Sequence, residues 1–125
     1  MKTNDFIQHE PLTAENVSDH LITLMKIMDL PAQTIAQGVD VSELQLNRII
    51  KKHHKPRQET VKIFNRIEKV FEEATQAMTE KGAVKWLKTP NPYLNDVAPI
   101  KCLRSDKELE KVISLLSAMK YGFPA

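Results

Sequence analysis

The sequence predicts an all-α chain, and three observations carry the prediction. Apolar residues recur at helical spacing, most strongly over Thr60, Ile63, Phe64, Ile67, Val70, Phe71, Ala74, Ala77 and Met78. Helix-capping serines followed three residues later by Gln or Glu occur at Ser42 with Gln45 and at Ser105 with Glu108. No stretch of convincing length alternates apolar and polar residues in the two-residue rhythm of a half-buried strand.

The elements follow in order. Residues 1–12 read as a flexible arm that ends around Pro11, after which Thr13 can cap a helix with Val17, Leu21, Leu24, Met25 and Met28 on one face. Pro31 suits the first turn of the next helix, where its missing N–H would have no helical partner. Gly38-Val39-Asp40-Val41 interrupts helical continuity, since Asp enters the left-handed region more cheaply than most residues. Ser42 caps the following helix, with Gln45 reaching back to complete a capping box. Pro56 then starts the long helix that carries the main apolar stripe, long enough to serve two of three surfaces: the N-terminal helices, the C-terminal part or a second copy.

Composition changes at Thr79-Glu80-Lys81-Gly82, which sets the expected boundary: residues 13–80 as one domain with the long helix, residues 81–125 as another. Trp86 and Leu87 fall on a short helix that ends by Thr89, because Pro90 and Pro92 push Thr89 and Asn91 toward extended backbone. Pro99 can open a further helix. Ser105 caps the last one, which buries Leu109, Val112, Ile113, Leu116 and Met119 and closes at Gly122.

Composition excludes several classes. A chain of 125 residues holds one domain or two small helical units, too little for a large enzyme. Its 42% hydrophobic content argues against wholesale disorder, and its apolar runs fall far short of a membrane span. The polar, acidic start has neither the apolar core of a signal peptide nor the Arg-rich bias of a transit peptide, so a cytoplasmic location is expected. Cys102 is the single cysteine and permits neither an internal disulfide nor a multi-thiolate zinc site. His53 and His54 are adjacent and share no helical face, so no metal is expected, and no cofactor motif is present. No nucleophile, base and orienting group recur at motif spacing, which argues against an enzyme.

Residues 32–51 place small, apolar and polar residues as a DNA-reading helix-turn-helix needs them. Ala36 is the small contact residue, and Ile35, Val39, Val41, Leu46 and Ile49 form the apolar underside. Ser42, Glu43, Gln45, Asn47, Arg48 and Lys51 are left to face outward. An ordinary helical hairpin with a solvated outer face shares this periodicity, but the charge pattern favours DNA. Residues 1–47 carry two lysines against seven carboxylates, whereas residues 48–69 carry eight basic side chains against Glu59 and Glu68. Phosphate contacts should concentrate in that basic block, at Lys51, Lys52, Lys55 and Arg57, with Gln33 and Thr34 donating from the preceding helix. For base reading, the amides of Gln45 and Asn47 suit adenine and Arg48 suits guanine. Leu44 can meet a thymine methyl, and Glu43 either repels phosphate or accepts from cytosine.

Trp86-Leu87, Pro90-Asn91, Leu94, Pro99, Leu103, Val112 and Tyr121-Gly122 recur in an order that resembles the toxin-binding domain of the antitoxin Xre/MbcA/ParS family. With the helix-turn-helix ahead of them, the resemblance extends over roughly residues 20–125. It implies an Xre-like DNA-binding part that represses its own operon, and a C-terminal part that neutralises a RES-type toxin acting on NAD. It also implies a homodimer with no catalytic role. Carried over, the toxin-facing or domain-defining positions are Trp86, Pro90, Asn91, Leu94, Pro99, Tyr121 and Gly122. Exposed groups beside them, Lys85, Tyr93, Lys101, Arg104, Lys120 and Phe123, are candidate contacts. Two departures stand out: Asn95-Asp96 replaces a glycine common after the leucine, and Lys107 or Glu108 a second near the last helix. With the chain ending at Ala125, neutralisation by a long inserted tail is not expected.

The expectation is therefore an antitoxin that also binds operator DNA. Two alternatives stand beside it: a stand-alone dimeric helix-turn-helix regulator without a toxin, and an adaptor that no longer reads DNA, for which Glu43 and the acidic first 47 residues speak.

Overall fold

The computed structural model describes Thr13 and residues 15–29 and 31–122, so the arm expected at residues 1–12 and the contact expected at Phe123 lie outside the described residues. Those residues form six α-helices and two single 3-10 turns, and no strand occurs among them. The all-α expectation therefore holds. The chain divides into two compact units between Asn65 and Arg66.

In the first unit, α1 spans Val17–Met28, α2 Ala32–Gly38 and α3 Glu43–Ile50. Thr13 and Asn16 exchange hydrogen bonds just ahead of α1: the Thr13 N–H donates to Asn16 Oδ1 at 2.8 Å, and the Asn16 N–H donates to Thr13 Oγ1 at 3.3 Å. Thr13 thus pairs with Asn16 but is not itself the helix cap: the N-cap of α1 is Asn16, which makes no side-chain capping bond to the helix. Pro31 is the residue preceding α2 rather than a member of its first turn; its extended backbone sets the entry angle.

Both α1 and α2 pack against α3. Their shared core is Val17, Leu21, Leu24, Ile35, Ala36, Val39, Leu46 and Ile49. The Ser18 hydroxyl reaches the Ile50 carbonyl at 3.1 Å, pinning α1 to the end of α3. Asp40 takes φ 61°, and the Val41 N–H closes the turn on the Ala36 carbonyl at 3.0 Å. Lys52, at φ 63°, ends α3 by the same left-handed device.

Helix α4, Gln58–Ala77, starts two residues after Pro56, which is buried ahead of it. Its apolar stripe is buried at Val61, Ile63 and Phe64 in the first unit and at Ile67, Val70, Phe71 and Ala74 in the second. The composition change at Thr79–Gly82 is a tight helix-to-helix turn, in which the Thr79 hydroxyl accepts from the Gly82 N–H at 3.0 Å and caps α5, Glu80–Lys88. A Cβ at Gly82 would sit 3.1 Å from that hydroxyl, so the cap favours glycine there.

Pro92–Leu94 and Pro99–Lys101 form the 3-10 turns, so Pro99 opens a single turn rather than a full helix. The second of these packs on α5, with Leu87, Ile100 and Leu103 fully buried in this unit. Helix α6, Asp106–Lys120, is capped by Ser105, whose hydroxyl accepts from the Glu108 N–H at 3.1 Å. The Glu108 carboxylate reaches back one residue further than a standard capping box, to the Arg104 N–H at 2.7 Å. Gly122 closes α6 at φ 87°, donating to the Met119 carbonyl at 3.1 Å.

Candidate functional site

Two surfaces carry the residues singled out from sequence, one in each unit. In the first, Ser42 and Gln45 form the expected capping box, each N–H meeting the other's side-chain oxygen at 3.3 and 3.1 Å. Glu43, Leu44, Gln45, Asn47 and Arg48 are exposed on α3, Leu44 to 63%. Gln33 is exposed and Thr34 half-buried at the start of α2. Lys51, Lys52, Lys55 and Arg57 are exposed at the end of α3 and in the loop that follows. The cap has a chemical consequence. Gln45 Oε1 is engaged by the Ser42 N–H, so the amide enters any contact with one acceptor position already used.

Two of the lysines are already paired. Lys55 Nζ lies 3.0 Å from Glu15 Oε2, and Lys52 Nζ lies 3.6 Å from Asp19 Oδ1. The Lys55 hydrogen bond holds the Glu15 carboxyl below the usual carboxylate range, helped by a backbone hydrogen bond and the lysine's charge. The basic run read from sequence is therefore partly neutralised by the acidic segment ahead of it. Arg66 leaves the run altogether. Its side chain is only 11% exposed, and it donates to Asp106 Oδ1 and to the Leu103 carbonyl, each at 3.1 Å.

In the second unit the residues divide by burial. Asn91 and Leu94 are buried, each only 5% exposed. Asn91 builds the loop. Its side chain accepts from the Tyr93 N–H at 2.8 Å, its carbonyl from the N–H groups of Leu94 and Asp96, and its own N–H donates to the Val97 carbonyl. Asn95 and Asp96 take φ 57° and 62°, so the pair standing in for a glycine adopts a glycine-like backbone. Trp86 is half-buried, and its indole N–H is enclosed without a hydrogen-bond partner among the described residues.

Pro90, Tyr93, Lys101, Arg104, Lys120, Tyr121 and Gly122 are exposed, Tyr93 to 52% and Tyr121 to 80%. Lys120 Nζ donates to Gln76 Oε1 at 3.2 Å, fixing the end of α6 to α4. Sequence pattern missed a groove of about 290 Å³ in which Val97, Lys101, Cys102, Glu108 and Lys111 come together beside Leu94 and Asn95. No linear signal joins Val97 to Lys111; the two left-handed residues turn the loop that brings them to one groove. Burial pushes the Cys102 thiol up, the Glu108 charge adds to this, and Lys111 opposes it. Among the described residues no group of three or more His, Cys, Asp or Glu side chains is placed to hold a metal ion. No helix among them is long and apolar enough to cross a membrane.

Comparison with known proteins finds a similarity in the second unit. Residues 68–122 match the model of the antitoxin Xre/MbcA/ParS C-terminal toxin-binding domain, taking in the second part of α4, both 3-10 turns, α5 and α6. No curated protein and no solved structure matches the chain. Over residues 68–122 the chain is therefore similar to the antitoxin Xre/MbcA/ParS C-terminal toxin-binding domain.

Proposed function

We propose that this protein is the antitoxin of a toxin–antitoxin pair, that it neutralises a RES-type, NAD-degrading toxin by direct binding, and that it represses its own operon by binding DNA. The match of residues 68–122 to a toxin-binding domain carries the antitoxin part. The exposed side chains of that domain, Tyr93, Lys101, Arg104 and Tyr121 among them, are the contacts we assign to the toxin. Trp86, Asn91 and Leu94 hold the domain in shape behind them.

The DNA part rests on the first unit. Its two short helices α2 and α3 pack on each other across a four-residue turn with Ala36 buried, and the second helix is capped and outward-facing, which supports the helix-turn-helix reading. Asn47 and Arg48 are the base readers we favour, since the capping box occupies Gln45. A homodimeric state, a cytoplasmic location and the lack of catalysis complete the proposal.

Co-expression of the full chain with a RES-domain protein encoded beside it tests this reading. The expected result is a stoichiometric complex through size exclusion that also shifts a duplex from the upstream DNA. A chain that shifts the duplex as a dimer but never retains the RES-domain protein would support the stand-alone regulator instead.

A further inference from the structure

The loop between α3 and α4 carries a histidine that neither surface has used. His54 and Pro56 line two cavities. The first, of about 320 Å³, holds Lys52 and Lys55 together with Glu15. Both lysines are paired, Lys55 to Glu15 and Lys52 to Asp19. The second, of about 260 Å³, is different in kind: among its lining side chains are Arg57, His54, Gln45 and Thr60, and none is acidic. No hydrogen bond or ion pair engages the side chain of Arg57 or of His54 among the described residues.

Hydrogen-bonding capacity in this second cavity is lopsided. Arg57 presents five N–H donors and no acceptor. Gln45 has its carbonyl oxygen on the Ser42 N–H, leaving the amide N–H groups to point elsewhere. His54 adds a ring N–H, and Thr60 a hydroxyl that can donate. A ligand rich in acceptor oxygens, negatively charged and without donors of its own satisfies this set, and a phosphate group is the chemistry that does so. Gln45 also belongs to the outward face of α3, so the cavity opens beside the helix assigned to DNA.

We propose that this cavity seats one phosphodiester of the DNA backbone, held by Arg57 and His54, and that Lys52 and Lys55 contribute far less than their charge suggests. The inference rests on the DNA-binding reading. Backbone contacts are independent of sequence and appear as a salt dependence, with a slope that falls by about one unit for each phosphate contact removed.

The test is fluorescence anisotropy of the full chain with a labelled mixed-sequence duplex over a KCl series. Three proteins are compared: wild type, Arg57→Gln with His54→Asn, and Lys52→Gln with Lys55→Gln, all checked for unchanged circular dichroism. The Arg57/His54 variant should bind several-fold more weakly with a slope lower by about one unit, while the Lys52/Lys55 variant stays close to wild type. Wild-type affinity and slope in the Arg57/His54 variant, with wild type itself binding, would overturn the phosphate seat and leave DNA binding standing. A wild-type chain that binds no duplex at any salt would overturn both. Protection of the His54 ring resonances by inorganic phosphate, without duplex binding, would identify a free-anion site and reject the backbone assignment.

Discussion

Arg66→Met should destabilise the second unit by about 2–4 kcal/mol, and the figure can be built from its two contacts. The guanidinium donates to the carbonyl of Leu103, a residue with no exposed surface, from a side chain that is itself 11% exposed. A hydrogen bond from a charged donor contributes about 1.5–3 kcal/mol, and removing the donor leaves the carbonyl unpaired. The second contact adds little, because the Asp106 side chain is 87% exposed and water screens the pair to about 0.2–1 kcal/mol. Met keeps most of the aliphatic stem, so lost packing adds little. The chain's one tryptophan, Trp86, lies in this unit, so urea unfolding followed by its fluorescence reads the effect where it arises, and circular dichroism reads the whole chain. Asp106→Asn is the companion variant and should cost less than about 1 kcal/mol. Equal losses in the two variants, or an Arg66→Met loss below about 1 kcal/mol, would refute the assignment of Arg66 to the carbonyl.

Three further outcomes are expected. Ser42→Ala removes half of a capping box and should lower stability by about 1 kcal/mol in the same urea titration, with DNA affinity falling in step if α3 is the reading helix. Asn95→Gly should be neutral or mildly stabilising, whereas Asn95→Val should cost about 1–2 kcal/mol, because the backbone there is left-handed. Cys102 should react with a maleimide more slowly than free cysteine near neutral pH and catch up only as the pH rises, since its raised pKa keeps the thiolate scarce. Glu108→Gln should speed it, and a Cys102 as reactive as free cysteine would remove burial as the cause.

What could be read from the sequence followed from local rules. The capping box at Ser42, the left-handed Asp40, the buried stripe of α4 and the cap at Gly122 each depend on residues within a turn of one another, and each stands in the fold. Charge was harder, because a tally along the chain does not know direction. Arg66 was counted with the basic block and turns inward to Leu103, while Lys52 and Lys55 meet Asp19 and Glu15 from more than thirty residues away. The same limit hid the groove at Val97 and Lys111 and the cavity at His54, which form only when loops bring separate stretches of chain together. Asn91 shows the converse. Its place in the motif was visible, but that its side chain and backbone organise the loop from within was not.

Growth rescue is the most direct test of the antitoxin proposal. A RES-domain toxin from the same locus is induced in a heterologous host with and without the full chain, and cellular NAD is measured alongside growth. The proposal predicts that the toxin alone depletes NAD and stops growth, and that the chain restores both while forming a complex with it. Continued NAD loss and arrest in the presence of abundant, folded chain would contradict it.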